Sequence, residues 1–257
     1  MNILSAGLCL GLAAAFAAAG AQTGKGAAGA RKEISITWLG HAAFEVVSPG
    51  GTRLLIDPFL THNPSTPQEF KDLKRYKAAA ILVSHSHSDH SGDAVEIART
   101  SGAAVVGTFD YVGSLGLPEA QTMGGNVGGT FTFGDVKVNL VPAMHSSDPG
   151  GRPIGFVLSF ADGRTVYHTG DTWIFGDMAL IQEIYHPSII LLNVGGGPYT
   201  EDPKTAALAV SKYFRPQAIV PMHYATFPAL ATESDVRAAF KDDARLKVMK
   251  PGETRGF

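Results

Sequence analysis

"ILVSHSHSDHSGD", Ile81 to Asp93, decides how this chain folds, because the apolar run of a buried strand breaks into three histidines and an aspartate within six residues. These are His85, His87, Asp89 and His90. An extended chain alternates its side chains, so His85 and His87 leave the strand end pointing the same way, with Asp89 on that side too. "DHSGDAVEIART" reads as the start of a helix, and as the chain turns into it His90 can swing to a neighbouring point beside Asp89. One short loop can thus supply two adjacent metal positions, and clustered histidine and carboxylate is the usual signature of such a site.

Outward from this stretch the pattern is of short strands separated by glycine, proline and aspartate. "ISITWL", "AAFEVVS" and "TRLLID", with a turn at Pro49–Gly51, read as a β-meander. Further β-like runs cover 80–84, 103–107, 136–141, 154–160, 164–168, 189–194 and 218–222. The best helix is "DPKTAALAVSKYF", where Asp202 can cap, Pro203 suits the first turn, and Ala206, Leu208, Ala209 and Tyr213 are expected inward. Two sheets flanked by helices fit this order. With 257 residues, 45% of them hydrophobic, the chain can bury a large core.

Residues 1–21, apolar, alanine-rich and uncharged, read as a secretory signal with a small-x-small cleavage pattern at Ala19–Ala21, followed by a flexible lead-in over 22–33. The expectation is an exported protein, periplasmic or secreted, with no membrane association after cleavage. Cys9, the one cysteine, leaves with the signal, so any metal site must be built from nitrogen and oxygen. A formal net charge of −2 and no long run of lysine and arginine disfavour nucleic acid as a partner. A small-molecule substrate is expected, and nothing in the sequence sets an oligomeric state.

Three more ligand-type residues follow apolar β-like runs: His145 after "KVNLVPAM", Asp171 after "RTVYHTG" and His223 after "AIVPM". At this point the sequence resembles the metallo-β-lactamase superfamily. "WLGHAAF", "LLIDPF", "SHSHSDHSGD", "YHTGDT" and "VPMHYATFP" are most similar to a poorly characterised group of metal-dependent hydrolases related to ascorbate-phosphate lactonases. The resemblance runs from about Ile34 to Phe227. It implies an α/β fold, a four-layer αββα sandwich in a single domain over 34–257, with a metal site at one edge of the two sheets.

Carried over by position, the resemblance puts His85, His87 and His145 on one divalent ion and Asp89, His90 and His223 on another, with Asp171 between them. Many lactamases of the superfamily use a cysteine near the place of Asp171. Its absence leaves the second site oxygen-rich, so zinc is the first expectation and manganese the alternative. The implied reaction is attack on a small ester, lactone, amide or phosphoester by a metal-bridging hydroxide, with Asp89 as the catalytic carboxylate that orients the water or accepts its proton. The alternatives are a phosphodiesterase or nuclease on the same scaffold, and an iron-dependent dioxygenase.

Around this set stand residues with weaker claims. His41 in "LGHAAF" either touches substrate or a metal ligand, or is a hydrogen-bonded structural histidine. Asp57 and His168 are candidates to orient ligand imidazoles, although Asp57 before Pro58 also suits a simple turn. Gly195–Gly197 stand where the resembled family usually carries larger side chains, which implies a more open pocket wall from which Tyr199 can reach substrate. Tyr224 is either an oxyanion donor or a core aromatic.

Overall fold

Strand β1 (Ser35–Gly40) turns at His41 into β2 (Ala43–Val47), which turns at Pro49–Gly51 into β3 (Arg53–Ile56), the meander expected from the sequence. The second turn is closed by Ser48 N–H donating to Thr52 O, and the Asp135 carboxylate accepts from Ser48 Oγ, Thr52 Oγ1 and Gly50 N–H. In this computed structural model residues 32–147, 151–241 and 243–257 are described. The expected signal and all but the last two residues of the lead-in lie outside them.

From β3 the first sheet continues in parallel through β4 (Ala80–Leu82), β5 (Ala104–Thr108) and β6 (Thr122–Gly125). Its other edge is β13 (Thr254–Gly256), antiparallel to β1. The second sheet runs β12-β11-β10-β9-β8-β7. Its strands are β7 (Thr130–Phe133), β8 (Val136–Pro142), β9 (Ile154–Phe160), β10 (Thr165–His168), β11 (Ile189–Asn193) and β12 (Ala218–Met222). Phe44, Leu54, Ile56 and Leu82 of the first sheet share one buried cluster with Leu140, Phe156, Leu158 and Ile190 of the second.

Helices cover both outer faces. On the first sheet, Leu55, Ile81 and Val105 pack with Ala94 and Ile97 of α2 (Ala94–Ser101) and Val112 of α3 (Phe109–Ser114). On the second lie α4 (Met178–Tyr185), α5 (Pro203–Tyr213) and α6 (Glu233–Phe240), burying Ile181, Ala209, Val210, Val236 and Phe240. The result is the αββα sandwich.

Asp202 caps α5 as expected, accepting from Lys204 and Thr205 N–H ahead of Pro203. Ala206 and Ala209 are buried and Tyr213 packs on the core, but Leu208 is 54% exposed. A 3.6-residue period that buries 206, 209 and 213 turns 208 outward and puts Val210 in its place. The single helix expected after His87 is also interrupted. A short α1 (Ser88–Ser91) precedes α2, and between them Asp93, at φ −107° and ψ 0°, turns its carboxylate to Leu60 N–H, Thr61 N–H and Thr61 Oγ1. That break fastens the histidine loop to the segment after β3.

Candidate metal centre

Candidate ligands and their neighbours follow strand ends within three positions: His41 after β1, Asp57 after β3, His85 after β4, His145 after β8, Asp171 after β10 and His223 after β12. Ligands gather at the carboxyl ends of strands because the loops there converge from several elements at once. β4 ends at Leu82, two residues short of the expectation, so His85 and His87 come off a bend and His87 is the residue before α1. They meet nonetheless. His85 Nε2 is 3.0 Å from His87 Nδ1, and His145 Nε2 is 3.3 Å from the same Nδ1.

A second group forms alongside from His41, Asp89, His90 and His223. Asp171 touches both groups. Its Oδ1 is 3.3 Å from His90 Nε2, and its Oδ2 is 3.1 Å from His223 Nε2 and 3.7 Å from His145 Nε2. The structure thus brings together all seven expected ligands, with Asp171 at the seam.

Local backbone explains the aim of these side chains. Gly170, at φ +60°, turns the chain from β10 to Asp171, and a Cβ there would lie 2.6 Å from Ile154 O. His168 holds that turn, accepting from Gly170 N–H at Nδ1 and donating from Nε2 to Ala42 O. It therefore fixes the backbone that presents Asp171, and among the described residues it bonds no imidazole, contrary to expectation. His41, Asp57 and His223 all have left-handed φ of 45–65°, a conformation costing of order 1–3 kcal/mol outside glycine. Their neighbours hold them there: His41 O accepts from His223 N–H and Trp38 Nε1, and Asp57 N–H donates to Leu82 O. Gly195 is needed for space, since a Cβ at that position would stand 2.5 Å from His223 Nδ1.

Behind the ligands, Asp57 is fully buried, with Oδ2 2.8 Å from His90 Nδ1. The same carboxylate accepts from Ser84 N–H and Ser84 Oγ, and so holds the imidazole of His90 in place. Ser84 spends its one proton on Asp57, leaving its oxygen to accept from His85 Nδ1 at 3.0 Å. Both His85 and His90 then have Nδ1–H engaged and Nε2 facing the cluster, the orientation that metal ligation requires. Ser84 was passed over in the sequence. Its only signal is its place at the head of "SHSHSDH".

His41 is buried and donates from Nε2 to Asp89 Oδ2 at 3.1 Å, while its ring lies 3.8 Å from that of His223. Burial, with His223 beside it, lowers its pKa to about 4, so it is neutral and holds one oxygen of Asp89.

The chemistry of the donor set fits cations. His90 Nε2 and His223 Nε2 are buried without a hydrogen-bond partner, lying near Asp171 but not aligned on it. Burial opposes protonation of His90, yet Asp171 and Asp57, one at each ring nitrogen, outweigh it and hold its pKa well above the ordinary value. For Asp171 burial is likewise outweighed, by His223 and His90, and its carboxyl stays well below the usual range. Asp89 is held low by His223 and His41 against its own burial. Divalent cations at these atoms would displace the shared protons, so metal binding here releases protons and strengthens as pH rises.

A cavity of about 810 Å³ opens over the cluster, lined by His87, Asp89, His145, Asp171 and His223. Tyr199 is on its wall, as expected, and 60% exposed. Tyr224 is not among the described residues lining it. It is buried and stacks on Trp38 at 5.4 Å, which makes it a core aromatic and removes it as an oxyanion donor.

One buried carboxyl had no sequence signal. Glu201, in the polar run "YTEDP", is 1% exposed with neither oxygen hydrogen-bonded. Burial, then the charges of Asp202 and Asp171, push it up to about 8. Its folded pKa exceeds the ordinary 4.5, so the folded state keeps a proton that the unfolded chain has released, and stability falls as pH rises from about 4.5 to about 8. Glu201→Gln should remove that fall, raising Tm at pH 8 relative to pH 5 by the equivalent of a few kcal/mol at most. Thermal melts of both proteins across this range measure it. Parallel pH profiles would show that Glu201 is ionised in the folded state.

A family profile described as a beta-lactamase superfamily domain matches residues 35–223. A metal-dependent hydrolase of Anaeromyxobacter dehalogenans is 46% identical over 245 residues, covering 89% of this chain and 88% of its own length. A metal-dependent hydrolase of Pyrobaculum arsenaticum is 45% identical over 227 residues, with 86% and 98% covered. Among solved structures, a metallo hydrolase from the hyperthermophilic archaeon Ignicoccus hospitalis superimposes with a TM-score of 0.78 at 37% identity, covering 87% of this chain and 98% of that one.

Proposed function

The chain belongs to the beta-lactamase superfamily, among metal-dependent hydrolases, and on that premise we propose that it hydrolyses a small ester, lactone, amide or phosphoester using two divalent cations. The observation that carries this reading is Asp171, whose Oδ2 lies between His145 of one set and His223 of the other while its Oδ1 approaches His90 of the second set. His85, His87 and His145 would hold one cation and Asp89, His90 and His223 the other, with zinc favoured by the imidazole-rich first set and manganese compatible with the more oxygen-rich second. Such cations polarise a scissile carbonyl or phosphoryl group and lower the pKa of water from about 15.7 toward about 7.

The chain's own groups do the rest. Asp89 stays ionised, so it is a weak final base and serves mainly to orient the attacking water, taking its proton transiently. His41 bonds Asp89 Oδ2 and so fixes the direction of the carboxylate. Burial of the cluster behind the cavity limits access to one side and strengthens every charge interaction within it. The expected setting is outside the cytoplasm, following the apolar first 21 residues of the sequence.

Chelation tests this directly. Protein stripped of metal and assayed on a panel of esters, lactones and phosphodiesters should lose turnover and regain it with added zinc or manganese. Full turnover in the stripped protein would overturn the proposal.

A further inference from the structure

We infer that the cavity over the cluster selects an uncharged, apolar ester or lactone, an inference that rests on the hydrolase reading above. Apart from the metal-capable side chains, the described residues lining it are Ser88, Ser146 and a wall formed by two loops, 198–199 and 227–230. That wall is proline, tyrosine, phenylalanine, alanine and leucine. No lysine or arginine is among the described lining residues.

This lining discriminates by charge. A second anionic group on a substrate, beyond reach of the cluster, would lose its water against Tyr199, Phe227 and Leu230 and gain no cation in exchange. An aryl or alkyl group in the same place gains in proportion to the area it buries. Ser88 and Ser146 offer neutral hydroxyls, suited to an ester or ether oxygen. The wall is preformed, because Phe227 packs edge-on to His41 at 5.6 Å and lies 6.4 Å from Phe59. Outside the described lining, Met144 and Trp173 are the residue before His145 and the second after Asp171. Both are more than half exposed, and they are joined by a backbone hydrogen bond. A volume near 810 Å³ is that of a site for one small molecule.

The reaction balances without an oxidant or reductant. The oxygen of water forms the new bond to the acyl carbon, the acyl–oxygen bond breaks, and the alcohol departs with one proton of that water.

Steady-state kinetics on the metal-loaded full chain test the inference, using p-nitrophenyl acetate, butyrate and hexanoate against bis(p-nitrophenyl) phosphate. Metal content is measured in parallel, and metal-stripped protein gives the background. kcat/KM should rise about fourfold per added methylene until the cavity fills, and every ester should exceed the phosphodiester. Tyr199→Arg should flatten that slope and raise relative turnover of the phosphodiester, with metal content unchanged. A phosphodiester preference, or no dependence on chain length, would overturn the inference while leaving the hydrolase reading intact. No turnover of any substrate by protein carrying its metals would overturn both.

Discussion

Asp171→Ala is expected to lose bound metal and activity together. Among the described residues Asp171 is the carboxylate whose Oδ2 approaches both groups, 3.7 Å from His145 of the first and 3.1 Å from His223 of the second, so its removal would untie both proposed cations at once. Loss of the water acidification they supply, from about 15.7 toward about 7, should lower kcat by more than about a thousandfold. The stripped variant also loses the partner of two buried histidines, so it should not simply resemble the stripped wild type. His90 keeps Asp57, but among the described carboxylates His223 keeps only Asp89, at 3.7 Å. Metal content by elemental analysis and kcat on the best ester read the two effects separately. Full metal content with unchanged turnover would show that Asp171 does not bridge.

The second large effect should come from a residue that contacts no cation. Asp57→Asn keeps the size of the side chain, and asparagine tolerates the left-handed backbone, at φ 45°, that this position requires. What changes is the bond to His90 Nδ1. An amide can meet it with its oxygen, which also keeps the Ser84 Oγ–H bond, only by turning its nitrogen toward Ser84 N–H, a donor that the other carboxylate oxygen accepts from. Any loosening lets His90 shift its proton to Nε2, the atom needed inward. Metal affinity should fall about 10–100-fold. Breaking this buried pair should cost stability on the order of 3 kcal/mol. Competition against a chromophoric chelator and thermal melts measure the two. Unchanged affinity would show that the Asp57–His90 bond does not set the imidazole's tautomer.

The parts of the fold that were legible in the sequence are those with local signals. Seven β-like runs beyond the meander correspond to strands because each is a continuous apolar segment closed by turn residues. Three strands were missed. "TMGG" of β6 carries two glycines, "TFTF" of β7 is only four residues, and β13 exists by pairing Ser35 with Gly256, across nearly the whole chain. Such pairing is a tertiary fact that no window of sequence contains.

For the candidate site, the dense motif at 85–90 and the placement of His145, Asp171 and His223 after apolar runs sufficed to nominate the cluster. The supporting atoms are different in kind. Ser84 and Glu201 are common polar residues whose roles come from full burial among charges, and His168 acts through a backbone turn rather than an imidazole. Burial and direction are set by packing. Spacing along the chain does not encode them.

The central claim is that two cations share the edge of these sheets through Asp171. Elemental analysis of the full chain, purified without added metal, tests it most directly. The account predicts two zinc or manganese ions per chain; a single iron, or no metal retained by protein that turns over substrate, would contradict it.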